Sequence, residues 1–278
     1  MKKNKKPKYI PSPLNTPMLN YQVYYLTASE KILYSAILFL VGGIAGQVFY
    51  GGLFKQNGEA TNMTTVSNIV VFILVGLLAV KLFLPSVADS FKVRRNSRLR
   101  RQFMDFLDNL TSSLASGGTV NNAVIAAERE LSKQYGANEP IVLELKEMVN
   151  GINNGQTLET MLSSFADRSG DEDIENFSNV ISNCLRIGGD FRDVIVKTRS
   201  LISSKISIAD EIETKLTSNK MQLNAMCLMP VFLVGMLKAS SSMFSQNLST
   251  PLGVIVTTIA IGIFIGAYSW GNKIIDVR

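Results

Sequence analysis

The densest group of chemically capable side chains is acidic: Asp171, Glu172, Asp173 and Glu175 lie within five positions, and Asp190 and Asp193 follow further along. Carboxylates gathered this way offer an electrostatic docking face to a cytoplasmic partner. Asp171 to Glu175 also stand where a helix should begin, and there the helix dipole favours carboxylates with no partner at all. A second cluster has the opposite sign. Lys92, Arg94, Arg95, Arg98, Arg100 and Arg101 form a basic collar of the kind that faces phospholipid head groups.

Other chemistry is closed off by what the chain lacks. It has no histidine, which removes the usual zinc sets and the Ser-His and Cys-His nucleophile pairs. Its two cysteines, Cys184 and Cys227, are far apart, so they read as buried thiols rather than a disulfide or CxxC site. No GxxxxGK[ST] sequence occurs, so the lysine and hydroxyl of a nucleotide loop are missing. The expectation is a protein that is not an enzyme and uses no cofactor or metal.

The elements that carry these clusters are set by composition. Of 278 residues 46% are apolar and only 18% charged, and the mean hydropathy is +0.19. Such a balance argues for a membrane protein. Four apolar stretches, Ile32 to Phe54, Asn68 to Ala88, Met221 to Ser241 and Pro251 to Trp270, are each long enough to cross about 30 Å of hydrocarbon. Short connections, Lys55 to Ser67 and Ser242 to Thr250, make them two hairpins.

Lysine and arginine choose the orientation. The segment through Lys31 carries six Lys, the collar six basic residues and the C-terminal end Lys273 and Arg278, whereas the opposite side carries Lys55 and, at the end of the third span, Lys238. Positive flanks stay in the cytoplasm, which places both termini and the middle of the chain there. The expected boundaries are a flexible basic tail over 1–31, a first hairpin over 32–88, a cytoplasmic domain over 89–220, a second hairpin over 221–270 and a cytoplasmic end over 271–278. The tail carries Pro7, Pro11, Pro13 and Pro17, and its apolar run starts too late and runs too long for a secretory signal.

No carboxylate lies in the middle of a span, which disfavours a proton or ion pump. Apart from Lys238 at the far end of the third span, Lys81 is the single charge inside one, near the end from which its stem can carry the ammonium to the interface. Gly42 and Gly46, and again Gly262 and Gly266, have GxxxG spacing, which suits close helix packing within the chain or between subunits. Pro230 predicts a kink in the third span.

Between Asp105 and Lys220 there are 18 acidic and 11 basic residues, a net of −7, against +5 over Pro85 to Met104. Apolar residues in this region recur with helical period. The stripes are Leu99, Phe103, Phe106, Leu107, Leu110 and Leu114; Val120, Val124, Ala127 and Leu131; Ile141, Leu145, Met148 and Ile152; Leu158, Met161, Leu162 and Phe165; Ile174, Phe177, Ile181, Cys184 and Leu185; and Phe191, Val194, Ile195, Leu201 and Ile202. Six amphipathic helices and no strand follow, so the fold class is an all-α membrane protein with two transmembrane hairpins flanking a cytoplasmic bundle. Three similar breaks, at Gly117–Gly118, Gly155 and Gly188–Gly189, pair a helix-ending glycine with Thr119, Thr157 or Asp190 as the next cap. From Asp190 the helical pattern continues through Lys220 into the third span as one rod.

The pieces FMDFLDNLTSSLASGGTVNNAV, GINNGQTLETML and CLRIGGDFRDVI, followed by NKMQLNAMCLMP entering the membrane, resemble the type II secretion system F domain over Arg98 to Pro230. One such domain between paired spans, rather than two copies, is similar to the inner-membrane platform proteins of tight adherence (Tad, or Flp) pili. That resemblance implies a non-enzymatic platform that works with a second related platform protein or as a homo-oligomer. It also implies coupling of a hexameric secretion ATPase to insertion of pilin subunits, with no nucleic acid involved. The rival reading is a permease subunit of an ATP-driven transporter, which should line a polar path through spans that offer little beyond Ser35, Thr257 and Thr258.

Overall fold

The computed structural model describes residues 6–53, 62–187 and 191–275, excepting the side chains at 187, 191, 213–220 and 272–275. Among the described residues a short hairpin, β1 (Tyr9–Pro11) and β2 (Pro17–Leu19), precedes nine helices. These are α1 (Ala28–Tyr50), α2 (Asn62–Ala115), α3 (Val120–Tyr135), α4 (Pro140–Asn153), α5 (Leu158–Ser169), α6 (Glu172–Ile187), α7 (Phe191–Ser240), α8 (Ser242–Leu248) and α9 (Pro251–Ile275). The chain divides into two compact units, one of residues 1–25 and 88–209, the other of residues 26–87 and 210–278.

The first unit is a helical bundle. Its core holds Leu99, Phe103, Phe106, Leu107 and Leu110 of α2, Val124, Ala127 and Leu131 of α3, and Ile141, Leu145 and Met148 of α4. Met161, Leu162 and Phe165 of α5, Ile174, Phe177 and Ile181 of α6, and Ile195 and Ile202 of α7 complete it. Among the described side chains the helical stripes read from the sequence therefore face inward, with two exceptions: Leu201 is 66% exposed and Leu185 also lies at the surface; the Phe191 side chain lies outside those described. Leu201 stands one residue off the 195–202 seven-residue spacing, so the face that buries Ile195 and Ile202 turns it outward.

The joints follow the capping logic. Gly117 and Gly155 adopt φ of +85° and +80°, a region closed to side chains, and end α2 and α4. Thr119 Oγ1 then accepts from Asn122 N at 3.4 Å, and Thr157 Oγ1 from Thr160 N at 3.3 Å. The third joint, Gly188, Gly189 and Asp190, lies outside the described residues.

Two features depart from the sequence reading. The first bundle helix is continuous with the second span as the 54-residue α2, which carries Pro85 inside it. The N-terminal segment, expected to be a flexible tail, forms a short hairpin within its described residues. Tyr9 pairs with Leu19, Ile10 with Met18 and Pro11 with Pro17, around a turn in which Asn15 takes φ of 60°. Pro11 and Pro17 sit in this isolated two-stranded edge, where a missing N–H costs little, and their fixed φ pre-sets the turn instead of signalling disorder.

Among the described residues the second unit contains four helices or helix segments long and apolar enough to cross a membrane: Ala28–Tyr50, a window of Asn62–Ala115, Met221–Ser240 and Pro251–Gly271. Gly42, Gly43 and Gly46 are buried in α1. A Cβ on Gly42 would lie 2.5 Å from Ala79 Cβ, and one on Gly43 2.5 Å from the Phe72 ring, so this glycine pattern serves contact between α1 and α2. Gly262 and Gly266 have nothing within 4 Å among the described residues. Pro230 lies within α7. Residues 242–248, expected to be a polar connection, form α8, capped by Ser241 Oγ accepting from Phe244 N at 3.2 Å.

Candidate partner-facing surface

The acidic cluster begins at the α5–α6 junction. Gly170, at φ of 60°, ends α5, and Ser169 Oγ accepts from Asp171 N at 3.1 Å. Asp171 Oδ1 in turn accepts from Asp173 N at 3.0 Å, so Asp171 satisfies free donors at the start of α6. Its other oxygen takes Arg100 Nη2 at 2.8 Å and Nε at 3.0 Å. Asp173 is held by Lys205 of α7 and lies 3.7 Å from Arg100 Nε. The Asp173 carboxylate raises the pKa of the Lys205 ammonium through their hydrogen bond and charge attraction.

Asp171 and Asp173 are each only 7% exposed, so their carboxylates tie α2, α6 and α7 together instead of presenting charge outward. Glu172 and Glu175, on the other side of α6, are exposed. Asp193 is exposed on α7 and pairs with Lys197 at 2.7 Å, an i,i+4 contact. Asp190 lies outside the described residues. The outward acidic face is thus narrower than the sequence indicates.

The basic collar is likewise divided. Arg95 Nη2 donates to the carbonyls of Tyr21 at 3.1 Å and Val23 at 2.8 Å, and its guanidinium lies over the Tyr21 and Tyr24 rings. Burial lowers its pKa. Arg98 pairs with Glu139 at 2.9 Å and Arg100 with Asp171. Arg94 and Arg101 are exposed and Lys92 is half-buried.

A polar layer that sequence reasoning missed sits under the N-terminal segment. Glu144 of α4 and Arg168 of α5, 1% and 2% exposed, form an ion pair. Tyr21, 1% exposed, packs edge-on against Phe165 at 6.5 Å between ring centres, and its amide donates to the Arg168 carbonyl at 2.9 Å. Burial pushes the Glu144 carboxyl up to about 7 despite the attraction of Arg168. The signal was present: Glu144 falls in phase with Ile141, Leu145 and Met148, and Arg168 in phase with Met161 and Phe165, on faces that otherwise bury apolar residues.

In the second unit, Lys238 Nζ donates to the carbonyls of Val48, at 3.2 Å, and of Gly51, so it satisfies free acceptors at the end of α1. A groove of about 330 Å³ beside Pro230 is lined by Cys227, Val234, Ala260 and Phe264, with Thr257 the single hydroxyl. Cys184 is buried and Cys227 half-buried. Among the described residues no group of three metal-ligating side chains gathers.

Residues 106–239, from the bundle portion of α2 almost to the end of α7, match the family model described as Type II secretion system (T2SS), protein F. No curated protein and no solved structure matches the chain.

Proposed function

With residues 106–239 identified as a type II secretion system protein F domain, we propose that the chain is an inner-membrane platform protein of a pilus or secretion assembly machine. The family match carries this reading, because it spans the helical bundle and continues through the third span. Four apolar helices support a multi-pass protein, and the distribution of lysine and arginine supports cytoplasmic termini and a cytoplasmic bundle. One F domain flanked by paired spans supports the tight adherence (Tad, or Flp) branch, in which a second related subunit completes the platform.

The platform couples a hexameric secretion ATPase to movement of pilin subunits. Extracting a pilin's apolar helix of about 20 residues from lipid costs on the order of 10 kcal/mol, at about 0.5 kcal/mol per residue. This chain lacks a nucleotide-binding loop, so the energy enters through the partner. The outward carboxylates Glu172, Glu175 and Asp193 are the surface assigned to that contact, and the apolar lining beside Pro230 favours helix or lipid contact over a polar permease path.

Copurification from cells that encode the ATPase tests the assignment. The wild-type chain should retain the ATPase, and the Glu172→Lys/Glu175→Lys variant should lose it while remaining folded in the membrane. Equal retention by both would remove these residues from the contact, and no retention by the wild type would remove the platform reading.

A further inference from the structure

The N-terminal segment closes over charge. Ser12 Oγ donates to Glu147 Oε1 at 2.6 Å, and Thr16 Oγ1 donates to the same oxygen. Tyr21 lies against Glu144 and Arg168, its hydroxyl donating to the Pro140 carbonyl at 3.4 Å. Gln22 Nε2 donates to the Asp167 carbonyl at 2.8 Å, and Arg95 gathers the carbonyls of Asn20, Tyr21 and Val23 from the side of α2. Residues 6–25 are therefore a strap buckled to α2, α4 and α5. The first span starts at Ala28, directly after it.

Among the described residues the charges beneath the strap do not balance. Glu144 and Glu147, three positions apart on α4, are both buried, and the guanidinium that bonds a carboxylate of this pair is Arg168 of α5. Arg95 of α2 lies across the Tyr21 ring and is occupied by strap carbonyls. Among the described residues no donor meets Glu144 Oε1. Two carboxylates sharing one bonded cation, sealed by a tyrosine, are relieved by one proton, because burial penalises the charged form and a neighbouring negative charge adds to that penalty.

We propose that docking of the strap is coupled to uptake of one proton by the Glu144 carboxylate, so that the strap loosens as pH rises. In the docked state the carboxyl holds the proton within the Tyr21, Glu147 and Arg168 cluster. When the strap lifts, water reaches the group, the proton leaves to solvent and the carboxylate remains. The elevated titration of Glu144, about 7, is the electrostatic counterpart of this geometry. The strap immediately precedes the first span in the chain.

Hydrogen exchange of the full chain in nanodiscs, read over residues 12–24 after correction for intrinsic rates, tests it. In the wild type, opening of the strap should rise about tenfold between pH 6 and pH 8, while peptides within α3 stay unchanged. Glu144→Gln should abolish that rise. Glu147→Gln, which leaves Arg168 paired, should move the midpoint to lower pH by removing the second negative charge. A wild-type strap whose opening ignores pH, a Glu144→Gln chain that keeps the rise, or a midpoint unmoved by Glu147→Gln would each overturn the proposal.

Discussion

The guanidinium of Arg100 meets the carboxylate of Asp171 at 2.8 Å, joining a position in the basic collar to a position in the acidic cluster. Two groups assigned to different surfaces by charge alone are thus each other's counterions. Asp171 also accepts the Asp173 amide at the head of α6, so its carboxylate serves two helices at once. Asp171→Ala should remove both contacts and leave Arg100 facing a buried void, costing about 2–3 kcal/mol once the half-exposure of Arg100 is allowed for. Thermal unfolding of the purified chain should show a clear fall in midpoint, whereas Glu172→Ala, one residue along and exposed, should leave it near wild type.

The Glu144–Arg168 pair should behave as a unit. Above pH 7, where Glu144 is ionised, Arg168→Met alone strands a carboxylate in the core, and Glu144→Leu alone strands a guanidinium. Either should cost roughly 3–5 kcal/mol, while the double substitution should recover most of the loss because neither charge remains. A double-mutant cycle in thermal or denaturant unfolding measures this. If the double variant is as unstable as the sum of the singles, the pair is not the source of the cost.

The same carboxyl sets a pH dependence with a defined sign. Its pKa is raised from 4.5 to about 7 in the folded chain, so the folded state binds the proton more tightly than the unfolded state. The associated stability is fully present below about pH 4.5, and is lost as pH rises through 7. The loss amounts to something on the order of 3 kcal/mol. Unfolding midpoints should therefore decline between pH 5.5 and 8 in the wild type, more steeply than in Glu144→Gln.

Much of this architecture was legible because helical periodicity reports burial directly. Phe103, Val124, Leu145, Phe165 and Phe177 all fall on stripes that the sequence displays, and Thr119 and Thr157 cap where the glycine turns require. What periodicity could not reveal is which charges find each other through space. Asp171 and Arg100 are separated by 71 residues, and nothing local distinguishes them from Glu172 and Arg94, which stay exposed. The strap was hidden for a different reason. Its prolines and lysines mimic the composition of disorder, and its hold on the bundle rests on the buried Tyr21 ring, on hydroxyls that donate to Glu147 and on backbone carbonyls captured by Arg95, none of which leaves a periodic trace.

The two glycine patterns make opposite predictions. Gly42 lies where a Cβ would press on Ala79 and approach the Val75 carbonyl at 3.2 Å, so Gly42→Leu should separate α1 from α2 and lower the unfolding midpoint markedly. Gly262→Leu and Gly266→Leu add side chains where nothing stands within 4 Å, and both should leave the monomer as stable as wild type. A large loss from either α9 substitution would mean that this face is covered in the membrane. Crosslinking of cysteines placed beside Gly262 would then identify whether a second subunit covers it.

Charge reversal separates surface from scaffold on α6. Glu172→Lys and Glu175→Lys change exposed groups and should alter stability by less than about 0.5 kcal/mol, so any loss of ATPase copurification reports the contact itself. Asp173→Lys instead sets a cation against Lys205 and Arg100 in a site that is 7% exposed, and it should unfold the junction of α6 with α7. Circular dichroism and thermal unfolding of each variant alongside copurification make the distinction. Glu172→Lys and Glu175→Lys should keep wild-type helicity and midpoint while binding falls, and Asp173→Lys should lose all three together. Full binding by the folded Glu172→Lys/Glu175→Lys chain would place the docking face elsewhere, with exposed Asp193 the next carboxylate to reverse.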